Sequence, residues 1–318
     1  RSGAEGERSR LKAALERLEL YYGDMDAHAQ AFRAALSLDA SESAAHHRSA
    51  LQALENRIAA SGEGTPEAPY AVLTAQDAFD WLRQQKIVTV GALYQGDDEA
   101  GTLRLLIRVQ EAQGEGLKNW IFDLTPTFTA GAQWAQAMGA DSKPSAYIAT
   151  RAQQGDPAAQ TAYALRLWRE GSGLGPETVS WLQSASEAGN LVARELLGTV
   201  YLALAARREG EEQSRFLDAA VDQLLLAVAQ GSAEAMVNLA KLYLSGHFGE
   251  ENRSAGVALL RQAIARDNLD AEVLLARLEY NGQLVAKAEA QALERLHRAA
   301  DAGHPEAQLF SVREKLST

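Results

Sequence analysis

Residues 231–246 read GSAEAMVNLAKLYLSG, and residues 267–282 read DNLDAEVLLARLEYNG. In both, an alanine stands four positions after the opening residue (Ala235, Ala271). A run of Leu, Ala and Tyr follows (Leu239, Ala240, Leu242, Tyr243; Leu275, Ala276, Leu278), and a glycine closes it (Gly246, Gly282). The apolar spacing is that of one face of a helix, and a glycine suits the left-handed residue that ends one. Each stretch leads to a second amphipathic segment, carrying Ala255, Leu259, Leu260, Ala263 and Ile264 in one copy and Leu293, Leu296, Ala299 and Ala300 in the next.

The opening residue and its alanine recur at Gly155 with Ala159, Gly189 with Ala193, and Gly303 with Ala307, giving steps of 34, 42, 36 and 36 residues along the chain. Self-similarity at such periods marks a helical solenoid, in which each helix pair buries its apolar face only against the next. Alanine lets helices approach closely while Leu and Tyr fill the space between them. Ala235 and Ala271 are therefore expected where two helices nearly touch.

Towards the N-terminus, Leu11, Leu15, Leu18 and Tyr22 form a helical stripe broken near Gly23. Asp24 or Asp26 is placed to cap a second helix with Phe32, Leu36 and Leu38, and Ser41 or Ser43 to start a third with Leu51, Leu54 and Ile58. The Gly- and Pro-rich run from Ser61 to Pro69 reads as a linker. Beyond it, helices are expected around Ala78 to Leu82, from Asp98 through Leu105, Leu106 and Val109 towards Gly114, and from Gln133 to Met138. The β-branched run Ile87 to Val90 reads as a connector or helix start rather than a lone strand, and Leu117 to Phe128 as a packed irregular segment. The division expected is an N-terminal helical region (1–62), a mostly helical middle region with irregular segments (63–149) and a repeat solenoid (150–318).

The chain has 318 residues, a formal charge of -11 and no cysteine. The acidic balance argues against general binding to nucleic acid or anionic membranes, and the missing cysteines exclude disulfides, Cys-ligated zinc and thiol catalysis. No stretch approaches the roughly 20 apolar residues of a membrane helix. The chain begins at Arg1 rather than Met, as expected of a processed chain or a fragment whose signal or anchor lies upstream.

The repeated residues resemble the Sel1-like repeat family, relatives of tetratricopeptide repeats. In that family an Ala-rich helix ending near Tyr and Gly leads through a Gly-containing loop to a helix closed by Ala-Ala-x-x-Gly. Ala299, Ala300 and Gly303 match that closure, and Gly171, Gly173, Trp181, Ala185 and Gly189 follow the loop and second helix of an earlier unit. Asp267 stands where Gly is expected, Ser184 and Ser186 flank Ala185, and a charged insertion runs from Arg207 to Glu212. The resemblance covers about residues 150–318. It implies an all-α chain, a right-handed α-solenoid of Sel1-like helix pairs preceded by a helical N-terminal region. Its function would be that of a non-catalytic protein-interaction scaffold or adaptor in a bacterial envelope-associated or signalling assembly, with a periplasmic or envelope location favoured over the cytoplasm. The alternative is a glycan-processing enzyme, or a polysaccharide-binding accessory subunit, in which the solenoid positions substrate.

Candidate chemistry is sparse. Gly171, Gly173 and Gly175 before Pro176 lack the strand and Lys-Ser/Thr pair of a phosphate loop, and Pro176 suits a helix start. Asp24, Asp26 and His28, or Glu294 with His297, fall short of the converging ligands a metal needs, and the adjacent His46 and His47 point to different sides of a helix. Trp81, Trp120, Trp134, Trp168 and Trp181 are scattered rather than grouped for sugar stacking. No cofactor, metal or small-molecule ligand is expected. Ten residues after each anchor stand Leu165, Thr199, Lys241, Arg277 and Arg313. Thr199, Lys241, Arg277 and Arg313 are thus the candidate partner-binding residues, a partly basic strip facing a protein partner with an acidic segment.

Overall fold

The computed structural model describes residues 2–110, 116–137, 141–170 and 173–317, so the expectations at Gly114, Met138 and Gly171 lie outside the described residues. The chain is built mainly of helices, fifteen among the described residues, with one small sheet. It divides into two compact units: Arg1–Ala112 with Lys118–Tyr163, and Ala164–Thr318 with Gln113–Leu117.

The first unit begins with helices α1 (Ser2–Leu20), α2 (Met25–Ser37) and α3 (Ser41–Ala59). The Asp24 side chain caps α2 by accepting from the Ala27 N–H at 2.8 Å. The buried face of α2 is made of Met25, Ala27, His28, Ala29, Ala31, Ala34 and Ala35, whereas Leu36 is exposed. The helix packs on both α1 and α3, and close approach on two sides selects alanine over the larger Leu36 that the sequence pattern favours.

At the centre of this face the His28 and His47 Nδ1 atoms lie 3.1 Å apart, and His28 Nε2 is 2.9 Å from the Tyr22 carbonyl. A carbonyl only accepts, so His28 carries its proton on Nε2, and His47 must donate from Nδ1. Burial pushes both imidazoles below their ordinary pKa. At His28 the bond to Tyr22 opposes this and His46 adds to it; at His47 both His28 and His46 add to it. Between the depressed folded pKa and about 6.5, the unfolded chain binds more protons than the folded one, so stability falls as pH drops through that window. Thermal unfolding at pH 7.5 and 5.5 should show a lower midpoint in acid for wild type, and a smaller difference for the His28→Leu, His47→Leu double variant.

After α3 come β1 (Tyr70–Ala71), α4 (Ala75–Gln84), β2 (Val88–Asp97), β3 (Thr102–Gln110), β4 (Leu117–Asp123), α5 (Thr125–Ala137), α6 (Pro144–Gln153) and α7 (Pro157–Arg169), the unit boundary falling within α7. A capping box starts α4: Thr74 Oγ1 accepts from the Asp77 N–H, and Asp77 accepts from the Thr74 N–H. An ion network of Arg17, Asp24, Asp26, Arg83 and Asp80 links α1, α2 and α4.

The sheet order is β1-β4-β3-β2, with β1 parallel to β4 and β2 antiparallel to β3 across a bulge at Thr89/Gly91. This corrects three sequence expectations. The segment from Asp98 is not a helix, because Leu103, Leu105, Ile107 and Val109 are buried in alternation with half-buried neighbours, a two-residue period. The run at Val88 is a strand, since 102–110 is there to pair with it, and the segment after Leu117 is a strand followed by the start of α5.

The second unit continues with α8 (Pro176–Glu187), α9 (Leu191–Ala205), α10 (Gly210–Ala229), α11 (Ala233–Leu244), α12 (Glu250–Ile264), α13 (Leu269–Asn281), α14 (Glu289–Asp301) and α15 (Pro305–Ser317). Each packs on the next in sequence, the contact pattern of an α-solenoid. The anchors have positive φ: Gly189 87°, Gly231 89°, Asp267 57° and Gly303 90°. The following N–H reaches back to an alanine carbonyl (Asn190 to Ala185, Ser232 to Ala227, Asn268 to Ala263, His304 to Ala299) at 2.9–3.2 Å, a Schellman closure. The same residue caps the next helix. Asn190, Ser232, Asn268 and His304 accept from the N–H groups of Val192, Ala235, Ala271 and Ala307. The alanines on both sides of every joint, from Ala185 with Ala193 to Ala299 with Ala307, are fully buried. In the first unit a related joint stands at Gly155, where Asp156 is the cap and its N–H closes onto the Arg151 carbonyl rather than an alanine's.

Candidate functional site

Two surfaces stand out, one in each unit. In the solenoid, Thr199, Lys241 and Arg277 are exposed on α9, α11 and α13, at the same distance from successive joints. The Thr199 hydroxyl donates to the Glu195 carbonyl at 3.0 Å. Among the described residues Lys241 has no ion-pair partner, while the Arg277 guanidinium lies 3.2 Å from the Glu306 carboxylate. Arg313 belongs to α15, and its side chain lies outside the described residues.

Half-buried polar contacts hold α10 against α9 and the end of α8. Arg194 donates to the Gln230 side chain at 2.7 Å, Gln230 donates to the Gly189 carbonyl at 3.0 Å, and Ser186 Oγ donates to Gln223 at 2.6 Å. Further along, the Ser232 hydroxyl at the start of α11 donates to the Glu195 carboxylate of α9 at 2.5 Å, which ties two successive first helices together.

In the first unit a cleft of about 620 Å³ opens between α5 and α6, over the sheet residue Leu103 and the neighbouring Leu124. Phe128 and Ala132 form one wall, Ala146 and Tyr147 the other, and the two charged lining groups are Asp141 and Lys143. Thr74 and Tyr147 also line a second cleft of about 400 Å³, whose other lining residues are Tyr21, Asp24, Ala75, Gln76, Asp77, Asp80 and Arg151. Asp77 and Asp80 are buried on α4. Burial pushes both carboxyls above the ordinary range, opposed at Asp77 by hydrogen bonds from Thr74 and Tyr21, and at Asp80 by Gln76 and Arg83. Arg151 is anchored by Asp156 at 3.0 Å.

The residues weighed as metal ligands are engaged elsewhere. Asp24 caps α2 and pairs with Arg17, Asp26 pairs with Arg17 and Arg83, and His28 is bound to His47 and Tyr22. Glu294 and His297 are exposed on α14. The clefts escaped the sequence pattern because their walls come from β3, α4, α5 and α6 and from the connections between elements; the one local signal was the Thr74-x-x-Asp77 capping box, which fixes the start of α4 between them.

The joint that recurs along the second unit, with a left-handed residue, a capping side chain and a buried alanine on either side, decides the architecture. The C-terminal helices form an α-solenoid of repeated helix pairs. No family model matches the chain, and no curated protein matches it. Among solved structures, the chain is similar to a protective antigen present in uropathogenic Escherichia coli strains that displays an SLR fold. Identity there is 23%, the TM-score is 0.46, and the match covers 60% of this chain and 41% of the other. It thus spans less than half the length of that antigen. A Sel1 repeat protein from Oxalobacter formigenes matches at 17% identity and TM-score 0.43, over 57% of this chain and 74% of its own. A chain described as a sel1 repeat protein, from Klebsiella pneumoniae subsp. pneumoniae, matches at 18% and 0.34, over 54% and 99%. No helix among the described residues is long and apolar enough to cross a membrane.

Proposed function

We propose that this chain is a protein-interaction scaffold without catalysis of its own, acting in a bacterial envelope-associated or signalling assembly, and that an acidic segment of its partner lies along Thr199, Lys241 and Arg277. The observation that carries the reading is the placement of these exposed residues at one register on successive first helices, each ten residues after an equivalent joint. The envelope or signalling setting comes from the resemblance of the repeat signature. Glu306 occupies Arg277, but an exposed pair is worth about 0–1 kcal/mol, so a partner carboxylate can take its place at little cost. Charges in a row chiefly accelerate association and make it sensitive to salt.

The test is the pair of reversals Lys241→Glu and Arg277→Glu. Both side chains are exposed, so the melting temperature should stay nearly unchanged, while association with a partner captured from the native cell extract should slow, most at low salt. Equal on-rates for wild type and the double reversal would remove the strip from the interface.

A further inference from the structure

We propose that the two adjoining clefts of the first unit form one binding site for a small amphiphilic cation, a ligand with an apolar body and an ammonium or amidinium end. The larger cleft has the size of a small-molecule site, which typically runs from about 300 to 1,000 Å³, and its wall is supplied by Leu73, Leu103, Leu124, Phe128 and Ala132. Leu103 and Leu124 are buried beneath it, while Leu73 is 36% exposed at its edge. An apolar body entering here removes both its own surface and that of the wall from water.

Charge complementarity fixes the other end of the ligand. Thr74 and Tyr147 are common to both clefts. The lining of the two together includes Asp24, Asp77, Asp80 and Asp141 against Lys143 and Arg151, an excess of two negative groups. Including the ion partners of these residues, Arg17, Arg83, Asp26 and Asp156, leaves that excess the same. The Phe128 and Tyr147 rings meet edge to face at 5.9 Å, so the passage from apolar to acidic lining is aromatic, a surface that accepts a cation on its face. A cationic end also favours the ionised form, which burial disfavours, at Asp77 and Asp80. A neutral or anionic end lacks that gain.

The test is calorimetric titration of the whole chain with three probes that share an octyl chain: octyltrimethylammonium, 1-octanol and octane-1-sulfonate. The cation should bind saturably, at least about tenfold more tightly than the alcohol and more tightly still than the sulfonate, with an affinity that falls as salt is raised. Asp77→Asn, which keeps an acceptor for the Thr74 N–H, should weaken the cation about five- to tenfold and leave the alcohol unchanged. Ala132→Phe, filling the apolar cleft, should weaken both by at least about tenfold. If Asp77→Asn fails to fold, the salt dependence of wild type, steep for the cation and flat for the alcohol, decides the same point. Three results would overturn the site: no saturable binding of the cation, equal binding of all three probes, or cation binding that survives Ala132→Phe. A site that takes a Leu- and Lys-containing peptide but not the small cation would be a groove for protein, and the proposal would fail.

Discussion

Replacing Ala271 with leucine should lower the unfolding free energy by about 1–3 kcal/mol, the usual consequence of forcing extra methylenes into a packed contact. Ala271 is fully buried at the start of α13, in a cluster with Met236, Val257, Leu260, Ala263 and Leu275 that joins α11, α12 and α13. Its N–H donates to the Asn268 side chain at 2.9 Å, so the backbone cannot withdraw to make room without breaking the cap. Ala258→Leu on the exposed side of α12 should change stability by no more than about 0.5 kcal/mol. Urea unfolding of the two variants beside wild type measures the difference. Equal midpoints would mean that the alanine column is not where the helices meet.

That column was legible in the sequence because it depends on residue size alone. The joints were legible only in part. The glycines pointed to left-handed residues, and all four glycine anchors have positive φ, including Gly155. Asp267 looked like a departure from the repeat, yet it adopts the same conformation at φ 57°, as Asp and Asn do more readily than other residues with a side chain. The capping position one residue later holds Asp156, Asn190, Ser232, Asn268 and His304. The first four are ordinary N-cap residues. His304 is not, and its role becomes plain only in three dimensions, where Nε2 pairs with Asp270 at 2.7 Å and leaves Nδ1 to accept from Ala307.

In the first unit the pattern was ambiguous in a way that physics explains. Adjacent His46 and His47 do point differently, as their spacing requires: His47 is buried against His28, and His46 lies near the Tyr22 hydroxyl at 3.3 Å. No spacing rule brings residue 28 beside residue 47, because that contact depends on the α2–α3 packing. The strands failed for a different reason. In TLRLLIRVQ the apolar residues fit a helix face through Leu105, Leu106 and Val109, and a strand face through Leu103, Leu105, Ile107 and Val109. A run of nine residues satisfies both periods, and only the pairing partner decides. Once 102–110 was read as helix, Val88 to Val90 had no partner, so one misreading produced the other.

The substitution that separates the two readings is Ile107→Ala, which should cost about 2–5 kcal/mol, the range for emptying a fully buried aliphatic site. Ile107 has no exposed surface and stands opposite Ala92 across the β2–β3 ladder. Leu106, opposite Leu93, lies on the other face and is only half-buried, so Leu106→Ala should cost clearly less. A helix through this segment would reverse the order, placing Leu106 with Leu105 and Val109 inside and turning Ile107 away. Trp81 and Trp120 lie 5.8 Å apart and both contact Tyr70 of β1, so intrinsic fluorescence during guanidinium unfolding carries a signal from this sheet beside that of Trp168 and Trp181 in the solenoid. If Leu106→Ala proved the more damaging of the two, strand β3 would have the wrong face inward; its register against β2 would fall with it, and so would the place of Leu103 in the wall of the apolar cleft.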